Sequence, residues 1–155
     1  MVLNHIVGGG TLTSRLFVEL RERRGLVYSV RTTLESLSNE SLMIGWFATE
    51  NDKVPTAIEL VCREWRWLAG GDVANADIDE AKAFLKGALP LSLDGTSTIA
   101  RRLLTVQRLG LDTDHLTAWN AKVDAVTGEM VRGLARRLLQ PDALTFAIAG
   151  DPTGM

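Results

Sequence analysis

The side chains best suited to bind a metal are few in this sequence and far apart. Its two histidines, His5 and His115, are separated by 110 positions, and neither has a second histidine or a glutamate three or four residues away. The zinc motifs H-E-x-x-H and H-x-x-E-H both need two histidines one helical turn apart. Cys62 is the only cysteine, and its apolar helical surroundings indicate a core residue. The sequence therefore predicts no metal site in this chain.

Ser14 and the three glycines before it form the next candidate for chemistry. A serine nucleophile is not indicated, because there is no G-x-S-x-G pattern and no histidine or acidic partner can be placed beside Ser14. Gly8, Gly9 and Gly10 lead into a helical pattern, where backbone N–H groups could hold an anion. The spacing matches neither a dinucleotide-binding fingerprint nor a P-loop. The favoured interpretation is a tight connector whose backbone passes close to another group.

Arg21 and Tyr28 form a third candidate, seven positions apart, and Tyr28 is the only tyrosine. Taken alone, Arg21 is one of several arginines on a polar helix face. Tyr28 shares strand parity with Val30, which is typical of a core residue with its hydroxyl at the rim. Alternatively, a phenol O–H can stabilise an oxyanion, and an arginine can orient that phenol or hold backbone carbonyls. The residues by themselves leave both interpretations open.

The sequence around this pair has a more specific pattern. Residues 8–17 are Gly-Gly-Gly-Thr-Leu-Thr-Ser-Arg-Leu-Phe, and residues 20–30 are Leu-Arg-Glu-Arg-Arg-Gly-Leu-Val-Tyr-Ser-Val. This pattern resembles the signature of the second domain of M16 (pitrilysin or insulinase-like) zinc peptidases: a glycine-rich turn, Ser-Arg-Leu, then Leu-Arg-Glu-x-x-Gly-Leu-x-Tyr-Ser-Val. Residues 77–82 and 138–152 resemble less specific parts of the same domain, so the resemblance extends over nearly the whole chain.

The resemblance implies a division of labour between two homologous halves that close around an unfolded peptide. The first half holds zinc on an H-x-x-E-H helix, and the second, which this chain resembles, supplies an arginine and a tyrosine instead. Carried onto this sequence, it implies Arg21 and Tyr28 as catalytic residues, with Gly8, Gly9, Gly10 and Ser14 in contact with substrate. The chain is then expected to be inactive alone and to pair, in cis or in trans, with a zinc-bearing half. The alternative is an interaction or scaffold subunit that keeps the fold.

The composition is that of an ordinary globular domain. The chain has 155 residues, of which 46% are hydrophobic and 23% charged, with a net charge of −2. This balance predicts neither nucleic-acid binding nor attraction to an anionic membrane. No apolar run is long enough for a transmembrane helix, and the N-terminus has no signal-peptide pattern. A lone cysteine is compatible with periplasm or cytoplasm, so the compartment stays open between them.

Hydrophobic periodicity predicts the element order α-β-β-α-α-α-α-α-β. Helices are predicted over 12–24, 55–68, 77–90, 96–109, 113–123 and 128–139, and strands over 27–35, 41–49 and 143–149. The first of these helices is predicted to face the core with Leu12, Leu16, Phe17 and Leu20, and Pro90 is predicted to kink or end the third. The first two strands are predicted to form a hairpin through a turn at 36–40. The nearly continuous apolar run at 42–47 predicts a central strand covered on both faces. A capping box is predicted where Asp77 begins the third helix.

This order predicts an α+β fold with an antiparallel or mixed sheet and helices packed mainly on one face. The resemblance implies that this fold is a LuxS/MPP-like metallohydrolase half. Residues 1–155 are predicted to form a single domain and to be a fragment of a longer chain. Three strands make a thin sheet, so the first strand is expected to lie upstream of Met1.

Overall fold

A computed structural model describes residues 1–10, 12–36 and 41–154 of the chain. Two antiparallel strands and a set of helices give the predicted α+β fold. In chain order the elements are α1 (Val2–Asn4), π1 (His5–Gly9), π2 (Phe17–Glu22), β1 (Ser29–Ser36), β2 (Ser41–Ala48), α2 (Val54–Ala69), α3 (Asn75–Leu91), α4 (Thr96–Arg108), α5 (Trp119–Asp124) and α6 (Gly128–Leu138), with short 3-10 turns at Asn51–Lys53, Thr113–His115 and Pro141–Ala143.

The first helical segment changes from α-helical to π-helical geometry. After α1 the chain continues as π1, and the Gly10 N–H donates to the His5 carbonyl at 2.8 Å, five residues back. This segment lies against β1, where a Cβ at Gly8 would be 2.8 Å from both Cγ2 and Oγ1 of Thr32. Gly8 is therefore required for the close approach of π1 to the strand.

The helix predicted over residues 12–24 is shorter than expected and is not a regular α-helix. Its central part is the π-helix π2, in which the predicted core residue Leu20 is buried; Leu16, the residue directly before π2, is also predicted to be in the core and is buried. Leu12 was predicted to face the core, but it lies in the preceding turn and is 61% exposed, so that part of the prediction is wrong. Residues 12–13 form a turn instead of extending the helix, while Gly8 and Gly9 belong to π1.

The hairpin forms as predicted, and its inner face joins the core. Val30 lies opposite Phe47, and Leu34 lies opposite Met43, across an antiparallel register. Val30 is buried, while Phe47 and Met43 pack against the core cluster. Part of the predicted turn, residues 37–40, lies outside the described residues.

The outer face of β2 is exposed. Leu42, Ile44 and Trp46 point away from the helices, and Trp46 is 48% exposed. Among the described residues, β2 pairs only with β1. The expectation of a central strand covered on both faces is therefore not met within this part of the chain.

Helix α2 provides much of the core. Pro55 lies in its first turn, where a missing N–H breaks no helical hydrogen bond. After the last turn the Gly70 N–H donates to the Arg66 carbonyl at 2.9 Å. Trp65 and Leu68 are buried on the face that joins the same cluster as the inner residues of β1. The helices thus pack mainly on one face of the hairpin, as predicted.

Helix α3 begins earlier than predicted. Its first residue is Asn75, its N-cap is Ala74, and no side chain caps it, so the capping box predicted at Asp77 is wrong. Asp77 lies within the first turn, where the helix dipole favours a carboxylate without a capping hydrogen bond. Pro90 was predicted to kink or end the helix, and the helix ends one residue later, at Leu91.

The later helices follow the prediction except at one place. α4 and α6 form close to their predicted bounds, and Thr127 caps α6 by accepting the Met130 N–H at 3.2 Å. The helix predicted over 113–123 is divided into a 3-10 turn and the short helix α5. In α5 Val123 is the buried residue, so there is little apolar surface to favour a longer helix. Among the residues described, none of the helices is both long and apolar enough to cross a membrane.

The strand predicted over 143–149 does not form within the described sheet. Residues 144–149 contain no helix, turn or bend, and no backbone hydrogen bond joins residues 145–149 to another described residue. Leu144 still packs against the core. A strand forms only when its backbone pairs with a neighbouring strand. Residues 143–149 do not pair with β2, because a groove separates them from it.

Candidate functional site

Arg21 and Tyr28 are placed by the end of π2 and the start of the hairpin. Gly25 has φ +60°, and its N–H donates to the Arg21 carbonyl at 2.9 Å, which ends the helix directly after the arginine. The Tyr28 N–H donates to the Ala48 carbonyl at 3.1 Å, so Tyr28 is fixed at the end of β2. The helix end and the hairpin therefore hold these two side chains on one surface.

The structure brings the two side chains together. The Arg21 Cζ lies 5.3 Å from the centre of the Tyr28 ring, a cation–π distance. Tyr28 is 80% exposed, and no described residue makes a hydrogen bond to its hydroxyl. The interpretation of Tyr28 as a core residue is wrong, because it lies one residue before β1 and its side chain points into solvent. Its hydroxyl is available to a ligand.

Phe17 is a third member of this site that the sequence analysis assigned only to the core. It is buried, and its ring centre lies 5.1 Å from the Arg21 Cζ. The sequence could have indicated this contact, because Phe17 and Arg21 are four residues apart in one helical segment. The guanidinium thus contacts one buried ring and one exposed ring, which restricts its position.

The neighbouring arginines contact buried carboxylates instead. Arg15 Nε is 2.7 Å from Glu64, and Arg24 Nη1 is 2.6 Å from Glu19, which also pairs with Arg23. Both glutamates are buried. Arg21, in contrast, has no carboxylate partner among the described residues.

The electrostatics of Glu19 follow from this pairing. Burial alone would raise the pKa of Glu19, but the hydrogen bond from Arg24 and the charges of Arg23 and Arg15 outweigh burial and lower that pKa below its usual value of 4.5. Glu19 is therefore ionised near neutral pH. Each of these arginines thus has a carboxylate partner, whereas the guanidinium of Arg21 faces solvent.

The predicted substrate-contacting residues lie mainly inside the fold. Gly8, Gly10 and Ser14 are buried, and Gly9 is half-buried. A Cβ at Gly10 would lie 2.7 Å from His5 Nε2, so packing alone requires glycine there. Contact of these four residues with substrate stays a prediction.

The histidines do not assemble with other metal ligands. Among residues 1–10, 12–36 and 41–154, no group of three or more His, Cys, Asp or Glu side chains could hold a metal ion. His5 is buried against Phe84, with ring centroids 4.5 Å apart. Burial lowers the pKa of His5, although the charge of Glu80 opposes this effect. His115 lies near Trp119 in a different part of the chain.

Fold and site together define an α+β domain with an exposed arginine–tyrosine pair. A sequence model of the family described as peptidase M16 inactive domain matches residues 1–85. The crystal structure of a peptidase M16 inactive domain from Pseudomonas fluorescens is similar, with a TM-score of 0.78 and 25% identity, over 91% of this chain and 34% of that chain. The chain belongs to the M16 family, as a peptidase M16 inactive domain.

Similar full-length proteins carry the name zinc protease. The uncharacterized zinc protease YmxG of Bacillus subtilis (strain 168) is 29% identical over 142 residues, which are 92% of this chain and 34% of that protein. An uncharacterized zinc protease of Mycobacterium leprae is 30% identical over 138 residues, 89% of this chain and 31% of that protein. The chain spans about a third of the length of the curated relatives it matches.

Proposed function

We propose that this chain is the substrate-binding, non-zinc half of an M16-type zinc-dependent peptidase. In this proposal Arg21 and Tyr28 complete an active site shared with an H-x-x-E-H-bearing half. The observation that carries it is the 80% exposure of Tyr28 beside the Arg21 guanidinium, 5.3 Å from its ring. An exposed aromatic residue fixed by its backbone and contacted by a cation is poorly explained by core packing.

Tyr28 acts as a hydrogen-bond donor in this proposal. Attack on a peptide carbonyl builds negative charge on its oxygen, and the phenol O–H donates to that oxygen as the charge develops. The hairpin fixes the Tyr28 backbone through its N–H bond to Ala48, so little reorganisation accompanies the reaction. Losing one such donor typically lowers kcat by about 10²–10³, or about 2.7–4 kcal/mol.

Arg21 acts as a positioning residue in this proposal. Its guanidinium contacts the rings of Phe17 and Tyr28, and so limits the directions in which the phenol can point. A lysine would keep the charge but not the planar stacking surface. With no carboxylate partner among the described side chains, its N–H groups are also available to substrate carbonyls.

Zinc is assigned to the partner half. The described residues offer no suitable set of ligands, while the relatives that this chain resembles are named zinc proteases. Zinc bound in such a half supplies Lewis-acid activation of water and carbonyl. The present chain contributes the surface that holds an unfolded peptide and the Tyr28 hydroxyl.

Mixing the two halves tests this proposal. Cleavage of a quenched fluorescent peptide is measured with this chain alone, with an H-x-x-E-H-bearing half from the same genome alone, and with both. We expect cleavage only in the mixture, and its loss on chelation of zinc. Cleavage by the isolated chain would contradict the proposal, as would no gain on mixing when both halves are folded and associated.

The substitution Tyr28→Phe separates a catalytic half from a scaffold subunit. It removes one hydroxyl and almost no volume, so kcat of the mixture should fall by about 10²–10³ while association is unchanged. Arg101→Gln is a matched surface control, because Arg101 is an exposed arginine on α4. An unchanged rate for Tyr28→Phe would favour the scaffold function.

A further inference from the structure

His5 is a buried histidine without a hydrogen-bond partner among the described residues. It is 7% exposed, and no described residue makes a hydrogen bond or an ion pair with its imidazole. Most buried polar side chains have such a partner, so one that lacks it needs a specific explanation. Histidine is also the side chain whose charge changes most readily near neutral pH. A buried, unpartnered imidazole is therefore a candidate for a group whose protonation changes the packing around it.

The ring of His5 lies in the contact between π1 and α3. Its centroid is 4.5 Å from that of Phe84 on α3, and the two ring planes are tilted by 35°. The backbone at Gly10 also comes so close to the ring that an added Cβ would lie 2.7 Å from His5 Nε2. In its neutral form His5 thus packs as an aromatic residue that joins π1 to α3.

A cavity of about 130 Å³ lies beside this ring. His5 lines the cavity together with Asp77 and Glu80, two exposed carboxylates on α3, so the cavity opens to solvent. A water molecule needs about 10–15 Å³ of such space, which leaves room for several. A proton can therefore reach the imidazole while the chain stays folded. The other charged residues that line the cavity are Arg15, Glu19 and Arg23.

The two arginines at this cavity already have carboxylate partners. Arg15 pairs with Glu64 at 2.7 Å, and Arg23 pairs with Glu19. The two carboxylates of α3, in contrast, make no ion pair with a described residue. The charges that face the imidazole without an ion-pair partner in the described part of the chain are thus negative.

Burial and charge act on His5 in opposite directions. Burial lowers the pKa of His5 from its usual 6.5, and the negative charge of Glu80 offsets only part of this effect. The neutral ring is therefore the form that fits the closed contact between π1 and α3. An imidazolium is more stable where it meets water and the α3 carboxylates, outside the buried contact.

We propose that His5 is a proton-sensitive contact between π1 and α3. The neutral ring holds residues 2–9 against α3, and protonation in mildly acidic solution raises the population of a form in which this segment has moved away from α3. The contribution of His5 to the packing is complete above about pH 6.5, and it is lost as the pH falls from there through the lower folded-state pKa. The opened form stays a minor one, because the segment also places four apolar residues in the core, namely Val2, Leu3, Ile6 and Val7.

Proton NMR of the histidine rings tests the first part of this proposal. The ring C–H signals of His5 are identified by their loss in His5→Gln, and those of His115 by their loss in His115→Gln. We expect His5 to titrate in the folded chain with a midpoint below the value of about 6.5 that is typical of an unfolded chain. Glu80→Gln removes the charge that favours the imidazolium and should lower this midpoint further. A midpoint of about 6.5 or above in the folded wild-type chain would overturn the proposal.

Amide hydrogen exchange tests whether protonation opens the contact. The protection of residues 2–9, corrected for the intrinsic effect of pH on exchange, is compared at about pH 7.5 and about pH 5. Linkage sets the expected fall in protection, which approaches about tenfold when the NMR midpoint lies one unit below 6.5. The control His115→Gln should show the same fall as the wild type, and Glu80→Gln should show a larger one.

The variant His5→Gln is neutral at every pH and should abolish the fall. Comparison with it also removes the contribution of the Met1 α-amino group, whose pKa is lowered by burial from 8.0. A fall of the same size in His5→Gln would overturn the proposal, as would an equal fall in α4, since the proposed opening is local. If His5→Gln does not fold, a fall in Glu80→Gln no larger than that of the wild type would overturn it. None of these readouts involves Arg21 or Tyr28, so they are independent of the proposed catalytic function.

Discussion

The arginines between residues 15 and 24 divide into two groups that differ in what they contact. Arg15, Arg23 and Arg24 each pair with a buried glutamate, and therefore hold the fold together. Arg21 contacts the rings of Phe17 and Tyr28 and faces solvent. Arginines that are neighbours in one sequence motif can therefore have different roles. The burial of the group that each one contacts, and whether that group is a carboxylate or an aromatic ring, tell these roles apart.

The same division extends over the whole motif. Its glycine-rich beginning is buried in close contact with Thr32 and His5, where glycine is required by packing. Nearer its end, the side chains of Arg21 and Tyr28 are exposed. Substitutions in the buried part should therefore change stability, and substitutions in the exposed part should change catalysis by the assembled peptidase.

The largest expected change in stability is for Gly8→Ala. The added methyl would lie 2.8 Å from the Thr32 side chain and 3.1 Å from its backbone nitrogen, so the free energy of unfolding should fall by about 1–3 kcal/mol. Gly133→Ala is the matched control, because nothing lies within 4 Å of that position in α6. It should raise stability by about 0.5–1 kcal/mol. Urea unfolding measures both, and equal effects would show that Gly8 is not tightly packed.

Glu19→Gln should have the next largest effect. It replaces the carboxylate that Arg23 and Arg24 contact by a neutral amide, which accepts weaker hydrogen bonds from them. Because both arginines are partly exposed, the loss should be about 1–2 kcal/mol. Glu22→Gln is the control, since Glu22 is exposed in the same helix. Comparable losses for the two variants, measured by urea unfolding, would contradict the assignment of Glu19 to the structural group.

The contribution of Glu19 should depend on pH. Because its pKa is lower in the folded chain than the usual 4.5, its ion pairs stabilise the fold above about pH 4.5, and this stabilisation is lost as pH falls through the folded-state pKa. The difference in unfolding free energy between the wild type and Glu19→Gln should therefore be constant from pH 7 to 5 and shrink below 4.5. A difference that grows with acidity would have the wrong sign for this account.

Arg21→Gln should have the smallest effect on stability. The side chain is exposed and makes no ion pair with a described carboxylate, so the unfolding free energy should change by less than about 0.5 kcal/mol. Thermal unfolding is measured for Arg21→Gln and for Arg24→Gln. Arg24→Gln should lower stability more, because Arg24 pairs with the buried Glu19. A loss for Arg21→Gln as large as for Arg24→Gln would place Arg21 in the structural group.

The sequence predicts the elements whose patterns are locally complete. The hairpin, α2, α4 and α6 each have a periodic apolar face and suitable ends, and all form close to their predicted bounds. The strand over 143–149 has the pattern but depends on a neighbouring edge, which periodicity cannot supply. The capping box at Asp77 fails for a similar reason, because a helix can begin two residues earlier without that cap.

The candidate site was only partly predictable. The motif indicates Arg21 and Tyr28, but strand parity alone placed Tyr28 in the core. The structure ends the preceding helix at Gly25 and begins β1 at Ser29, and Tyr28 lies between these points with its side chain in solvent. The π-helical geometry of π2 was also not predictable, because an inserted residue in a turn leaves no clear trace in apolar periodicity.

A double-mutant cycle tests most directly whether Arg21 and Tyr28 act as one unit. kcat/KM is measured for the mixed halves with wild-type chain, Tyr28→Phe, Arg21→Gln and the double variant. If Arg21 acts by positioning the phenol, Arg21→Gln slows cleavage by itself but has no further effect once the hydroxyl is gone, giving a coupling free energy of about 0.5–3 kcal/mol. Effects that multiply in the double variant, or no loss in either single variant, would contradict this account.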